Sequence, residues 1–347
     1  MRPVRALIVD DSSSMRAVLN RILSADSDIE VVGMAPEPHA ARAMIKELNP
    51  DVITLDIEMP GMNGLSFLER IMRLRPMPVV MCSTLTAHGA EAAVEALRLG
   101  AVDCIGKPTG NPLEIAQDAS NLCQIVRAAG RASVRRGPVT PRAAAQGETA
   151  IASTLAGGFR DSVIAIGAST GGVEALFTLL SGLPVDCPPV LVVQHMPASF
   201  TGSFAARLDR ECAVRVVEAT DAMQIERGTV YIAPGGATHM ELVGGRFGRI
   251  RLRAGDLVSN HRPSVDVLFR SVAELGTASI GAILTGMGSD GAQGLLAMRQ
   301  AGARTFGQSR ESCTIYGMPR IAFELGAVER EVSLSTMPEV ILGACRK

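Results

Sequence analysis

The sequence alternates short apolar runs with segments of helical periodicity, and this alternation restricts the fold more than any other feature. In residues 1–125, the runs "RALIVD", "DVITLD" and "MPVVMCS" alternate with "SMRAVLNRIL", "GLSFLERIMRL" and "AEAAVEALRLG". Strand-length apolar runs between amphipathic helices are typical of βα units, which build a parallel sheet with helices on both faces. The pattern predicts a doubly wound, flavodoxin-like α/β domain over residues 1–125.

The same alternation begins again after an irregular stretch. Residues 126–158 are rich in Ala, Arg, Gly and Pro without sustained periodicity, so we interpret them as a flexible linker. Residues 159–347 then contain "SVIAIGA", "PPVLVVQH", "GTVYIAP" and "ASIGAIL", which predict a second parallel α/β domain. Within it, "YIAPGGATHMEL" followed by "GRIRLRAG" favours hairpin strands. We therefore expect a Rossmann-like domain with an added β-hairpin.

Charge and cysteine spacing argue against several classes of protein. Residues 159–347 carry 18 Lys/Arg and 18 Asp/Glu, without the basic excess that a nucleic-acid reader usually has. No apolar run approaches the roughly 18 residues typical of a membrane span. The seven cysteines form no zinc or CxxC pattern. We expect a cytoplasmic protein with reduced thiols, no nucleic-acid partner and no membrane insertion.

Acidic residues end two strands of the first predicted domain. Asp10 and Asp11 follow "RALIV", and Asp56 ends "DVITLD". Ligand sites of open α/β sheets form at the carboxyl ends of the strands, so these carboxylates should meet in one crevice, where Mg²⁺ would balance their charge. Ser83 and Lys107 end two further strands and would add a hydroxyl and an ammonium group. One such Asp often only caps a helix, but the full set suits phosphoryl transfer to a carboxylate.

The segments "LIVDDS", "LDIEMPGMNG" and "GKP" resemble the receiver domains of two-component response regulators over about residues 4–122. The resemblance implies that Asp56 accepts a phosphoryl group from a histidine kinase. Many receivers carry an aromatic residue three positions before the lysine, and here that position is Cys104. The implied Mg²⁺ ligands are Asp10, Asp11, Asp56 and the backbone carbonyl of Glu58.

The segment "GASTGG" places Ser169 inside a Gly-x-Ser-x-Gly spacing, between the strand "SVIAIGA" and the amphipathic helix "VEALFTLLSGL". A strand-to-helix turn presents such a side chain at the sheet edge, and the N–H groups of the helix N-terminus favour an anion there. The spacing alone also suits a phosphate cradle or a tight turn without chemistry. Ser169 is predicted as a nucleophile only if the chain also provides a base and an acid at the same sheet edge.

A serine nucleophile needs a base and an orienting acid. His195 directly follows the strand "PPVLVVQ", and Asp290 in "LTGMGSDG" follows the strand "ASIGAIL", so both are expected at the same sheet edge as Ser169. His239 in the predicted hairpin and His261 in "NHRPSVD" remain alternatives, as the base or as substrate-side or structural residues. The order Ser, His, Asp differs from the Ser, Asp, His order of α/β-hydrolases, which argues against an ordinary member of that fold.

The motifs "AIGASTGG", "QHMP", "YIAPGG", "HRPSVDVLF" and "LTGMGSDGAQG" together resemble the chemotaxis protein-glutamate methylesterases of the CheB family over about residues 160–343. The resemblance implies hydrolysis of glutamate methyl esters on chemoreceptors under phosphorylation control, often with deamidation of receptor glutamines. It implies Ser169 as nucleophile, His195 as base and then acid, and Asp290 as the orienting acid. Backbone N–H groups near Thr170 and Met287 would form the oxyanion hole, and no cofactor is expected for ester hydrolysis.

Two other functions remain open at this point. The first alternative is a response regulator whose second domain only binds DNA or a partner protein. Ester hydrolysis that depends on Ser169 would distinguish an enzyme from such a binding domain. Within enzymes, the alternative is hydrolysis of a small-molecule ester, for which an intact methylated receptor would not be the preferred substrate.

Overall fold

The computed structural model describes residues 2–59, 63–83, 86–108, 112–132 and 158–346 of the chain. The chain divides into two compact units, Met1–Gly137 and Pro138–Lys347. The division falls in residues 133–157, outside the described residues, and this stretch contains most of the predicted linker.

The first unit has a five-stranded parallel sheet in the order β2-β1-β3-β4-β5, with helices between successive strands. The strands are β1 (Val4–Val9), β2 (Ile29–Ala35), β3 (Val52–Asp56), β4 (Val79–Ser83) and β5 (Asp103–Gly106). The helices are α1 (Ser13–Ser24), α2 (Pro38–Leu48), α3 (Gly64–Leu74), α4 (Ala87–Arg98) and α5 (Pro112–Ala129). The strand order changes direction at β1, so the carboxyl ends of β1 and β3 lie side by side at the switch point where such sheets bind ligands.

The first unit continues past the predicted boundary at residue 125. Helix α5 ends at Ala129, and Val126 and Ala129 are fully buried in the core of this unit. A Cβ on Gly130 would lie 2.2 Å from Cγ1 of Val4, so the chain is still in close contact with β1 there. The predicted boundary rests on the change in composition after residue 125. The domain ends later because apolar residues at helical spacing keep the end of α5 packed on the core.

The second unit has a seven-stranded parallel sheet in the order β14-β13-β12-β6-β7-β9-β8. Its strands are β6 (Val163–Ala168), β7 (Val190–Gln194), β8 (Arg215–Glu218), β9 (Thr229–Ile232), β12 (Ser279–Ile283), β13 (Arg304–Gln308) and β14 (Arg330–Val332). Its helices are α6 (Gly172–Leu180), α7 (Ala198–Glu211), α8 (Val265–Ala273), α9 (Ala292–Gln300), α10 (Met318–Glu324) and α11 (Met337–Ala344). Strands β6, β7 and β12 are buried along their whole length, as central strands of a parallel sheet must be.

The predicted hairpin forms outside the main sheet. Strand β10 (Thr238–Val243) pairs antiparallel with β11 (Arg249–Ala254). Met240 and Ile250 turn into the same core as Leu268 and Phe269 of α8, so the hairpin packs against that helix. Both predicted parallel sheets and the added hairpin are therefore confirmed.

Two further properties are the state of the cysteines and the apolar character of the helices. All seven cysteines are free thiols. Within the described ranges, no helix combines the length and the apolar character needed to cross a bilayer.

Candidate active site

The predicted acidic cluster forms in the first unit. Asp10 and Asp11 follow β1, Asp56 ends β3, and carboxylate oxygens of the three lie within 4.8 Å of one another. Lys107 follows β5, and its Nζ lies 3.0 Å from Oδ2 of Asp10 and 2.8 Å from Oδ2 of Asp56. The cluster thus holds three carboxylates and one ammonium, which contacts two of them. The remaining negative charge and the oxygen-only donor set fit a hard divalent cation such as Mg²⁺.

Burial controls the charge of this cluster. It raises the pKa of Asp56, and the hydrogen bonds from Lys107 and the N–H of Glu58 only partly oppose this effect. Burial would lower the pKa of Lys107, but its contacts with Asp56 and Asp10 outweigh that effect and raise it. Lys107 is therefore a fixed cation, while Asp56 is a carboxylate with fewer donors than its burial requires.

Ser83 and Cys104 are buried at the strands next to the acidic cluster. Ser83 ends β4, and its buried hydroxyl donates to the carbonyl of Gly89 in α4 at 3.2 Å. Cys104 is buried in β5, and burial raises the pKa of its thiol well above the usual value. The roles predicted for Ser83 and for the carbonyl of Glu58 remain predictions.

In the second unit, Ser169 and His195 leave adjacent strands side by side. The register pairs Ala168 of β6 with Gln194 of β7, and the next residue on each strand is Ser169 or His195. The N–H of His195 donates to the carbonyl of Ala168 at 3.1 Å, and Nε2 of Gln194 donates to the carbonyl of Ser169 at 2.9 Å. The parallel register thus places the serine and the histidine at one edge of the sheet.

Glycines allow the close packing of the turn that carries Ser169. Gly171 has φ 77°, a left-handed conformation that starts α6 without a Cβ penalty. A Cβ on Gly172 would lie 2.1 Å from Oε1 of Gln194, and one on Gly286 would lie 2.7 Å from Cβ of Ser169. The glycines of "GASTGG" and "LTGMGSDG" therefore let three chain segments meet around one serine.

His195 contacts Asp290 directly. Nε2 of His195 lies 2.9 Å from Oδ2 of Asp290. A carboxylate only accepts, so Nε2 carries the proton and Nδ1 of the neutral ring keeps its lone pair. Nδ1 is buried and has no hydrogen-bond partner among the described residues. His195 thus has one nitrogen fixed by an acid and one basic nitrogen available for a proton.

The N-terminus of α8 holds Asp290 in its ionised form. The hydroxyl of Ser264 and the N–H of Asp266 donate to Oδ1 at 2.7 and 3.1 Å, and the N–H of Val265 donates to Oδ2 at 2.7 Å. Burial would raise the pKa of Asp290, but these hydrogen bonds and the one from His195 outweigh it and hold the pKa below its usual range. The helix N-terminus adds a favourable field for the same charge.

The two alternative histidines have different positions. His239 is buried in β10, with Nε2 2.8 Å from the carbonyl oxygen of Asp256, and its Nδ1 accepts from the N–H of Ser264 at 3.1 Å. Both of its nitrogens are therefore engaged, one with the loop at Asp256 and the other with the N-cap residue of α8. The ring of His261 instead stacks on the ring of His195, with centroids 3.7 Å apart and planes at 7°.

The predicted oxyanion-hole residues flank Ser169. Thr170 is buried next to it, and its carbonyl accepts from the hydroxyl of Thr285 at 3.0 Å. Met287 follows Gly286, the residue packed against Ser169. The hydroxyl of Thr285 also accepts from the N–H of Ile315 at 2.9 Å, so it joins two loops behind the turn.

Three residues of the site are not predicted from the sequence: Gln194, Ser264 and Thr285. Each of them supports a site residue through a hydrogen bond to its backbone or carboxylate. Only Ser264 carries a signal in the sequence, because a serine directly before the apolar run "VDVLF" is typical of a helix N-cap. In the structure its hydroxyl serves Asp290, and the carboxylate of Asp290 accepts from the first N–H groups of the helix.

Two family models match the chain. The model described as CheB methylesterase matches residues 164–341, and the model described as response regulator receiver domain matches residues 6–118. Ser169, His195 and Asp290 lie within the first match, and the acidic cluster with Lys107 lies within the second.

Known proteins match the chain over nearly its whole length. A protein-glutamate methylesterase/protein-glutamine glutaminase of Caulobacter vibrioides is 57% identical, covering 99% of this chain and 98% of that protein. One of Agrobacterium fabrum is 52% identical, covering 97% of this chain and 95% of that protein. The crystal structure of the Thermotoga maritima CheB methylesterase catalytic domain superposes with a TM-score of 0.51 at 36% identity, covering 52% of this chain and 97% of that domain.

Proposed function

The chain belongs to the CheB methylesterase family and carries a response-regulator receiver domain before the catalytic domain, and from this premise we propose its chemistry. The protein is a protein-glutamate methylesterase and protein-glutamine glutaminase of the chemotaxis type. We assign the acyl transfer to Ser169, His195 and Asp290. The contact between His195 and Asp290 carries this assignment, together with the buried Nδ1 of His195, which has no hydrogen-bond partner in the described part of the chain.

The first half of the reaction forms an acyl-enzyme. The hydroxyl oxygen of Ser169 attacks the ester carbonyl of a glutamate side chain while Nδ1 of His195 accepts the hydroxyl proton. The resulting imidazolium is stabilised by Asp290. The oxyanion accepts from backbone N–H groups near Thr170 and Met287, and the C–O bond then breaks as His195 returns the proton to the leaving methanol.

The second half releases the glutamate. Water attacks the acyl carbon, His195 takes one of its protons, and the same proton then protonates Oγ of Ser169 as the acyl bond breaks. A glutamine side chain passes through the same acyl-enzyme, with ammonia as leaving group in place of methanol. One site therefore accounts for both activities in the names of the relatives.

The receiver domain supplies the control. We assign Asp56 as the phosphoryl acceptor, with Lys107 neutralising charge on the phosphoryl oxygens. Asp10, Asp11, Asp56 and the carbonyl of Glu58 would hold Mg²⁺, which neutralises charge during phosphoryl transfer when it is bound. The hydroxyl of Ser83 would leave Gly89 to donate to a phosphoryl oxygen.

The partners follow from the two chemistries. The substrate is a methylated chemoreceptor, and the phosphodonor is a chemotaxis histidine kinase. A cytoplasmic place of action is part of this proposal, and the seven free thiols are consistent with a reducing compartment.

The decisive experiment measures methanol release from methylated receptor membranes by the full chain and by Ser169→Ala. We expect release by the wild type and none above background by the variant. Equal release by both would overturn the serine assignment. Release from small esters with none from the receptor would favour the small-molecule alternative, and no hydrolysis of any ester would favour a binding-only output domain.

A further inference from the structure

The stack of His261 on His195 is not explained by the reaction described above. The two rings are nearly parallel, at 7°, with centroids 3.7 Å apart, which is the distance of direct face-to-face contact. Their residues come from different parts of the sheet edge, since His195 follows β7 and His261 precedes α8. Such a contact restricts rotation of the His195 ring about its Cβ–Cγ bond, because that rotation would tilt the ring out of the stack.

A tight turn in the loop before α8 fixes the backbone of His261. Val258 and His261 pair as an antiparallel bridge, with the N–H of each donating to the carbonyl of the other. Between them, Ser259 and Asn260 both have left-handed φ values, 53° and 64°. Two successive non-glycine residues in this region are uncommon outside constrained turns, and such turns concentrate at functional sites.

Burial keeps His261 neutral. Burial and the nearby His195 lower the pKa of His261 to about 4, against an opposing effect of Asp290. The adjacent Arg262 is turned away, since its guanidinium donates to the carbonyls of Gly236 and Gly255. At neutral pH an uncharged ring therefore covers one face of His195 without repelling the imidazolium that forms during catalysis.

We propose that His261 is a positioning residue for the esterase reaction: its ring fixes the plane of His195, so that Nδ1 stays aimed at the nucleophile while Nε2 stays on Asp290. It does not transfer a proton itself. The proposal rests on the proposed function of His195. The flat aromatic face carries the effect, and the nitrogen atoms of His261 do not.

Variants of the full chain separate these features. His261→Phe keeps a flat ring, whereas His261→Gln and His261→Ala remove it. We expect kcat for methanol release to fall about tenfold to a hundredfold in the Gln and Ala variants, since small misplacements of a catalytic group have effects of this size. KM should change much less, and the Phe variant should stay within about threefold of wild type. His39→Ala, on the exposed face of α2, is the matched control without effect.

A second readout does not depend on activity. We follow by NMR, in the full chain labelled at histidine, the Nε2 proton of His195 that is hydrogen-bonded to Asp290. Without the covering ring the imidazole is free to turn away from Asp290, so this proton signal should weaken or disappear in the Gln and Ala variants. It should stay at its wild-type position in the Phe variant.

Three results would overturn the proposal. The first is a Gln or Ala variant with wild-type kcat and a wild-type signal of the Nε2 proton of His195. The second is a Phe variant as impaired as the Ala variant, because polar atoms of His261 would then be required. If neither the Gln nor the Ala variant folds, ring-proton contacts between His195 and His261 in the wild type decide, and their absence overturns the proposal. A failure of the serine assignment would appear separately, as activity retained by Ser169→Ala.

Discussion

Asp56 of the receiver domain and Asp290 of the catalytic domain are buried carboxylates at the same kind of place, the carboxyl edge of a parallel sheet, but their surroundings are opposite. Asp290 accepts from four groups: the ring of His195, the hydroxyl of Ser264 and the N–H groups of Val265 and Asp266. Asp56 accepts from Lys107 and the N–H of Glu58, with Asp10 and Asp11 close by.

The number of donors decides what each carboxylate can do. Burial raises the pKa of Asp56 because its donors do not compensate for lost solvation, whereas the donors around Asp290 outweigh burial and lower its pKa. A carboxylate with few donors can still bind a cation or attack a phosphoryl group. A carboxylate with four donors is held in place, and it is suited to orient and stabilise a histidine.

The largest expected effect concerns the catalytic domain. Asp290→Asn, His195→Ala and Ser169→Ala should each lower methanol release about 10⁴-fold, because members of such a unit depend on one another. A double variant should lose little more than either single one. Phosphorylation of Asp56 should be unchanged in all of them. Losses that multiply in the double variant would contradict a shared mechanism.

The next effect concerns the receiver domain. Asp56→Asn should take up no phosphoryl group from a kinase or a small phosphodonor, and the phosphodonor should no longer accelerate its esterase. A typical coupling between two sites corresponds to about 5–150-fold, so we expect the acceleration of the wild type in that range. Chelation of Mg²⁺ should remove it from the wild type as well. Labelling that persists in Asp56→Asn would show that another residue is the acceptor.

A smaller effect tests the donor count around Asp290. Ser264→Ala removes one of its four donors. A hydrogen bond to a charged group contributes about 1.5–3 kcal/mol, and the backbone donors remain, so we expect kcat/KM to fall about tenfold. Ser289→Ala is the matched control, because Ser289 is exposed one residue before the same carboxylate. Equal effects of the two substitutions would contradict the role given to Ser264.

The smallest effect concerns the stability of the folded state, measured by thermal unfolding in EDTA, on which substitutions of Asp290 and Asp56 should act with opposite signs. The lowered pKa of Asp290 stabilises the folded state at neutral pH, and this contribution disappears as the pH falls through the folded-state value. The raised pKa of Asp56 has the opposite sign, so its charge destabilises the folded state at neutral pH and stops doing so below about pH 4. Asp290→Asn should therefore lower the unfolding midpoint and Asp56→Asn should raise it. Shifts of the unfolding midpoint in the same direction would contradict the opposite pKa shifts given for Asp290 and Asp56.

Much of the fold could be predicted from the sequence because strand and helix periods are local properties. The strands ending in Asp56 and Gln194 are rich in apolar residues and buried along their length, and parallel strands bring their carboxyl ends to one edge. Because Ser169, His195 and Asp290 each follow a predicted strand of the same sheet, the sequence predicts that they lie near each other. It did not place the end of the first domain, since Ala129 is buried by packing against distant residues.

The supporting residues could not be predicted for a physical reason. Gln194 and Thr285 act through side-chain hydrogen bonds to backbone atoms of segments distant in sequence, and such contacts leave no period in the chain. The stack of His261 on His195 likewise depends on a turn whose left-handed residues, Ser259 and Asn260, are not glycines. Sequence alone left His261 among the alternatives, and its geometry gives it a separate place beside the base.

The role of Ser169 as nucleophile is tested most directly by locating the covalent intermediate. The full chain is mixed with an activated glutamyl ester, quenched during turnover and mapped by peptide mass spectrometry. We expect an acyl group on the peptide that contains Ser169 in the wild type, its accumulation in Asp290→Asn, and none in Ser169→Ala. An acyl group on any other residue, or full turnover by Ser169→Ala, would contradict this role.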